Sequence, residues 1–177
     1  ENLPFLVKSV LNKNFKVFNF AFNGYGPHQF LSKIENNYLT EIKDCKKLFV
    51  FYQFIPDHIG RVAGKRSWGD KSPRYQIKDE KLISDGFFTN FPYKIVMKLR
   101  KNFRSSKVIN IFYQVDSTND RDNQLFLKIL LEIEKKLKQK FYNSEFIYIL
   151  WDDMNGKDTS ISSFFSRRDR INIKDLN

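Results

Sequence analysis

A chain of 177 residues, 41% hydrophobic and 16% aromatic, can bury one substantial core but not two, and it is too apolar for general disorder. Its net charge of +11 invites a nucleic-acid or anionic-membrane reading, yet lysine is spread along the whole chain, so no nucleic-acid partner is expected. A single cysteine, Cys45, excludes a disulfide framework, two histidines without H-E-x-x-H spacing point to no metal or cofactor, and no apolar stretch reaches the ~20 residues of a membrane span.

Leu3, Leu6, Val7, Val10 and Leu11 recur at helical spacing, which predicts an amphipathic helix at the start of the chain. Val17 to Phe22 is a compact apolar run that predicts a strand, ending at Asn23-Gly24-Tyr25-Gly26. Pro27 suits the first turn of a helix, with Phe30, Leu31 and Ile34 as its buried face. Leu48 to Ile55 predicts a second buried strand, ended by Pro56. The stretch Arg61–Gly86 is irregular, with a small hairpin across Tyr75–Ser84, a pattern more typical of a functional loop than of a linker. Phe91 to Leu99 reads as a helix and Val108 to Val115 as a third core strand. A polar loop follows from Asp116, with Asn119 or Asp120 as N-cap of the clearest helix, Leu125 to Phe141. Phe146 to Trp151 is the fourth apolar run. Alternating strands and helices predict one α/β domain over residues 1–177, with a mainly parallel sheet. The near-continuous hydrophobicity of the four runs predicts helices on both of its faces.

Ligands of open α/β sheets bind beyond the carboxyl ends of the strands. That rule selects Asn23–Gly26, Pro56–Arg61, Asp116–Asp120 and Trp151–Asn155, and the unusual residues fall in the first two. A strand that ends in glycine and turns into a helix presents free backbone N–H groups, which can hold an oxyanion or a phosphate. Taken alone, Gly24-Tyr25-Gly26 reads equally as a ligand-free tight turn, and it lacks both the third glycine of a dinucleotide fingerprint and a phosphate-loop Gly-Lys-Ser/Thr. In the second segment a strand delivers Asp57, His58 and Arg61 together. The bland reading there is an Asp-capped turn with a surface arginine; the sharper one is chemistry or substrate contact.

The order strand, Asn23-Gly24-Tyr25-Gly26-Pro27-His28-Gln29, helix, strand, Phe54-Ile55-Pro56-Asp57-His58-Ile59-Gly60-Arg61 resembles the second and third sequence blocks of the SGNH (GDSL-like) hydrolases, in a bacterial branch of that superfamily. Ser67-Trp68-Gly69 and Ser72-Pro73-Arg74-Tyr75 are similar to the same branch. The resemblance implies a three-layer α/β/α, flavodoxin-like fold and a serine esterase or acetylesterase, hydrolysing or transferring an acyl group of an ester-bearing small molecule, lipid or glycan. It places Gly24 as an oxyanion donor, with Asn23, Tyr25 and Arg61 as substrate contacts. Asp57 falls where the family's oxyanion asparagine sits. An ionised carboxylate cannot donate a hydrogen bond, so either the adjacent His58 takes that role or Asp57 serves the fold.

The family's Gly-Asp-Ser block belongs before the first helix, and Asp175-Leu176-Asn177 matches the start of its closing Asp-x-x-His block, which makes Asp175 the candidate catalytic aspartate. The reading expects a domain incomplete at both ends, because Ser67, Ser72 and Ser117 all lack a nucleophile-elbow context. Two alternatives stand beside it: an inactive SGNH-fold binding module and a basic nucleic-acid-binding domain. Glu1-Asn2-Leu3-Pro4 has no signal-peptide layout, and neither localisation nor oligomeric state is assigned.

Overall fold

The computed structural model describes residues 15–66, 69, 71–106, 117–150, 159–167 and 170–172. The expected N-terminal helix, the expected strand at Val108–Val115, Asp116, the segment Trp151–Asn155 and Asp175 lie outside the described residues.

The described residues form a mixed α/β structure. Strand β1 (Leu48–Phe54) pairs in parallel with β4 (Ser144–Leu150), from Leu48 opposite Ser144 to Phe54 opposite Leu150. A short strand, β5 (Arg170–Asn172), adds to the other edge of β4, again in parallel. Strands β2 (Pro73–Lys78) and β3 (Lys81–Phe87) form a separate antiparallel hairpin, where the sequence predicts a small hairpin across Tyr75–Ser84. Five α-helices, α1 (Pro27–Glu35), α2 (Asp57–Val62), α3 (Tyr93–Ser105), α4 (Asp120–Lys140) and α5 (Thr159–Ser166), and one 3-10 turn at Thr40–Ile42 complete the description.

Helix α4 organises the core. Asn119 Oδ1 accepts from Asp122 N at 3.1 Å and Asp122 Oδ2 accepts from Asn119 N at 2.9 Å, a reciprocal capping box. Asp120 and Asp122 in the first turn and Lys138 and Lys140 in the last both suit the helix dipole. Its stripe Phe126, Ile129, Leu130, Ile133 and Leu137 is buried against one face of the sheet, where Phe54 meets Phe126 at 5.3 Å and Phe165 of α5 at 5.0 Å between ring centroids. Tyr148 enters the same layer, its hydroxyl donating to Glu134 Oε1 at 2.5 Å. At the far end of α4, Lys140 Nζ donates to the Ile34 carbonyl at 2.7 Å and so satisfies a C-terminal carbonyl of α1. On the opposite face of β1, Phe49 and Phe51 are exposed.

Two local expectations need correction. Val17–Phe22 forms neither a strand ladder nor a helix among the described residues. Its apolar character is met by aromatic packing instead: Phe20 packs at a tilt against Phe30, 6.3 Å between ring centroids, and Lys33 Nζ lies 4.8 Å from the centroid of Phe22, which stays exposed. The segment after β1 is not a loop but the short helix α2, because Pro56 presets helical φ and Asp57 places a carboxylate at the helix start.

Candidate functional site

The site lies where β1 runs into α2 and the Asn23–Gly26 turn runs into α1. Tyr25 N donates to Phe22 O at 3.0 Å, closing a turn whose third residue, Gly24, has φ +81. That conformation suits glycine, as a type II turn requires. Gly26 then caps α1, its N–H donating to Gln29 Oε1 at 2.6 Å. Helix α2 ends in a Schellman motif, with Lys65 N on Gly60 O at 2.7 Å, Gly64 N on Arg61 O at 3.1 Å, and Gly64 at φ +64. This termination fixes the last turn of α2 and with it the reach of Arg61.

Arg61 joins the two segments. Its Nη1 donates to the Tyr25 carbonyl at 2.6 Å while its Nε donates to Asp57 Oδ2 at 2.7 Å. Arg66 donates to the other carboxylate oxygen of Asp57. Burial alone would raise the Asp57 pKa, but the hydrogen bonds from Arg66 and Arg61 outweigh it and hold the carboxyl below its ordinary range. Asp57 is thus an ionised anchor for two guanidinium groups.

The chain's two histidines both lie near Arg61. His28, in the first turn of α1, is 2% exposed, and neither ring nitrogen has a hydrogen-bond partner among the described residues. Its ring folds back over Gly26: a Cβ built there would lie 2.9 Å from His28 Nδ1 and 3.4 Å from Arg61 Cβ. Burial, then the neighbouring His58 and Arg61, lower its pKa to about 3. His58 is lowered to about 4 by burial and then Arg61, with Asp57 opposing. Both imidazoles are therefore neutral at pH 7.

Tyr52, projecting from β1, puts its hydroxyl 2.8 Å from His58 Nδ1. Burial pushes the phenol pKa well above its ordinary value, against the pull of Arg61, so the hydroxyl keeps its proton. We assign the phenol as donor to Nδ1, which leaves the His58 proton on Nε2. The arrangement offers a neutral, oriented N–H donor beside a net-positive guanidinium cluster.

Among the residues expected from sequence, Tyr25, Asp57, His58 and Arg61 belong to one cluster, and Gly24 is one residue from it. Asn23 is exposed in the turn, and the Tyr25 ring packs on Phe22 at 5.0 Å. Ser72 is buried with its hydroxyl on the Gly69 carbonyl. His28 and Tyr52 were not legible as site residues; the one signal available was that the chain has only 2 histidines, one in each of the two segments singled out. Among the described residues, no three His, Cys, Asp or Glu side chains are grouped to hold a metal ion, and no helix is long and apolar enough to cross a membrane. Comparison of the chain with protein-family models, curated proteins and solved structures finds no match.

Proposed function

We propose that these residues belong to an SGNH-type serine ester hydrolase with a three-layer α/β/α fold, acting on an ester or O-acyl group of a small molecule, lipid or glycan. The observation that carries the reading is the 2.6 Å bond from Arg61 Nη1 to the Tyr25 carbonyl. It ties together the two segments on which the family resemblance rests, at the carboxyl end of β1, where such sheets bind ligands.

In this reading the ester carbonyl sits over the turn, with Gly24 N–H and His58 Nε2–H holding the oxyanion as it develops. Pre-oriented neutral donors suit that task. A base with a pKa near 4, as at His58, is too weak to take a proton from serine at pH 7. The attacking serine and its histidine base are therefore assigned to the family's flanking blocks, with Asp175 orienting the base. Asp57 serves the fold by holding Arg61 and Arg66.

The test is hydrolysis of p-nitrophenyl acetate by the protein carrying both flanking blocks. Turnover that disappears when the Gly-Asp-Ser serine becomes alanine supports the reading. A folded protein with both blocks that is inert on a broad panel of short acyl esters removes it.

A further inference from the structure

Helix α1 grips the chain that precedes it with one face. Gln29, Phe30 and Lys33 stand three and four positions apart, so they share that face, and helical side chains lean toward the N-terminus. Gln29 Oε1 accepts from Gly26 N at 2.6 Å, and Phe30 packs against Phe20. Lys33 reaches furthest back. Its Nζ lies 5.8 Å from the ring centroid of Phe20, 4.8 Å from that of Phe22 and 5.4 Å from that of Tyr25. All three fall within the ~6 Å range of a cation–π contact. Among the described residues no carboxylate pairs with Lys33.

Phe22 and Tyr25 are the first and last residues of the turn that carries Gly24. Tyr25 N donates to Phe22 O at 3.0 Å, and Gly24 takes its φ of +81 between them. The two rings are 5.0 Å apart, with one ammonium against both. Among the described residues no backbone hydrogen bond joins Val17–Phe22 to a helix or strand. Without a ladder, the turn depends on side chains for its geometry. Arg61 binds the Tyr25 carbonyl, and Lys33 binds the rings at both ends.

We propose that Lys33 is a positioning residue, a cationic clamp that holds the Phe22–Tyr25 turn closed and with it the direction of the Gly24 N–H. The clamp stands on these contacts alone; its effect on an oxyanion rests on the esterase reading. A lysine stem packed on the rings would serve as well with a neutral head, whereas the clamp needs the charge.

The experiment compares the parent with K33Q, which removes the charge, and K33R, which keeps it. Native-state amide exchange at Tyr25 reports opening of the turn. It should be about fivefold faster in K33Q, the equivalent of the roughly 1 kcal/mol that cation–π attraction supplies at a solvent-open site. K33R should exchange at the parent rate, and the Ile34 amide inside α1 should be unchanged in both. In the protein carrying both flanking blocks, K33Q should lower kcat about fivefold at constant KM, and K33R should restore it. Parent-like exchange in K33Q, K33Q-like exchange in K33R, or an equal rise at Ile34 would overturn the clamp. Faster Tyr25 exchange with unchanged kcat would overturn the positioning role. A parent without any turnover counts against the esterase reading, and the exchange measurement still decides the clamp.

Discussion

The Tyr52 hydroxyl lies 2.8 Å from His58 Nδ1, so a strand residue sets the tautomer of a helix residue six positions later. Tyr52→Phe removes that partner and little volume. The variant should lose about 1–3 kcal/mol of stability, the usual penalty for stranding a buried polar atom. Its His58 ring should then populate both neutral tautomers, which the 15N shifts of the imidazole report. A variant ring still held as Nε2–H would show that Tyr52 does not position it. If His58 Nε2–H holds an oxyanion, the same substitution should lower kcat more than it changes KM.

The two histidines give the fold a distinct acid response. Their folded pKa values, about 3 for His28 and about 4 for His58, lie below the ordinary 6.5. Above pH 6.5 both states are neutral and the histidines leave stability unchanged. As pH falls through that value the unfolded chain takes up protons first, so stability is lost until the folded values are reached. The slope approaches about 1.4 kcal/mol per pH unit for each imidazole. The depressed Asp57 carboxyl acts in a lower window, its contribution fading as pH falls below the ordinary carboxylate value of 3.8. Urea titrations between pH 7 and 4.5 should therefore show a decline that His28→Gln reduces. An identical decline in that variant would exclude His28 as its source.

Gly64 is a structural requirement of α2. Its φ of +64 is the left-handed conformation of the Schellman motif, and a Cβ there would lie 2.5 Å from Cε1 of the buried Phe88 ring. Gly64→Ala combines about 1–2 kcal/mol of backbone strain with about 1–3 kcal/mol of overpacking. A loss of about 2–5 kcal/mol in denaturant unfolding is expected, and Gly64→Asn, which tolerates φ > 0 but is larger, should gain nothing over alanine.

The elements legible in the sequence are those whose local pattern and packing agree. The long helix carries its cap at Asn119 and a single apolar stripe, and α4 forms there. The runs around Val50 and Ile147 hold branched and aromatic residues between turn signals, and they pair in parallel. Val17–Phe22 has the same composition, but a strand exists only through its neighbours, and its phenylalanines find rings and a lysine instead. Burial of His28 was equally hidden, because it depends on Arg61 crossing to Tyr25 from 36 positions away. The segment Asp57–Val62 had a readable helix start in Pro56-Asp57; its position at a strand end favoured a loop. Amphipathicity in Tyr93–Ser105 marks a helix but does not say which face turns outward. Arg100 and Tyr93 decide that through partners on distant segments.

Asp57 and His58 are adjacent in sequence and separable by experiment. Asp57 accepts from both Arg61 and Arg66, so Asp57→Asn removes the anion that neutralises two partly buried cations. With its side chain 35% exposed, the expected loss is about 1–3 kcal/mol of stability. Once folded, that variant should keep most of its kcat. His58→Ala removes no charge at pH 7, but it strands the buried Tyr52 hydroxyl and removes a ring packed against Tyr52 and Phe54, so it too should lose about 1–3 kcal/mol of stability. If His58 Nε2–H holds the oxyanion, the substitution lowers kcat by ~10²–10³ with little effect on KM, because the bond forms mainly in the transition state. Since both variants lose stability, steady-state kinetics of each folded variant in the competent protein separate the two residues. Unchanged kcat in a folded His58→Ala protein would remove His58 from the oxyanion site. A kcat loss confined to a fully stable Asp57→Asn protein would reverse the assignment of the pair.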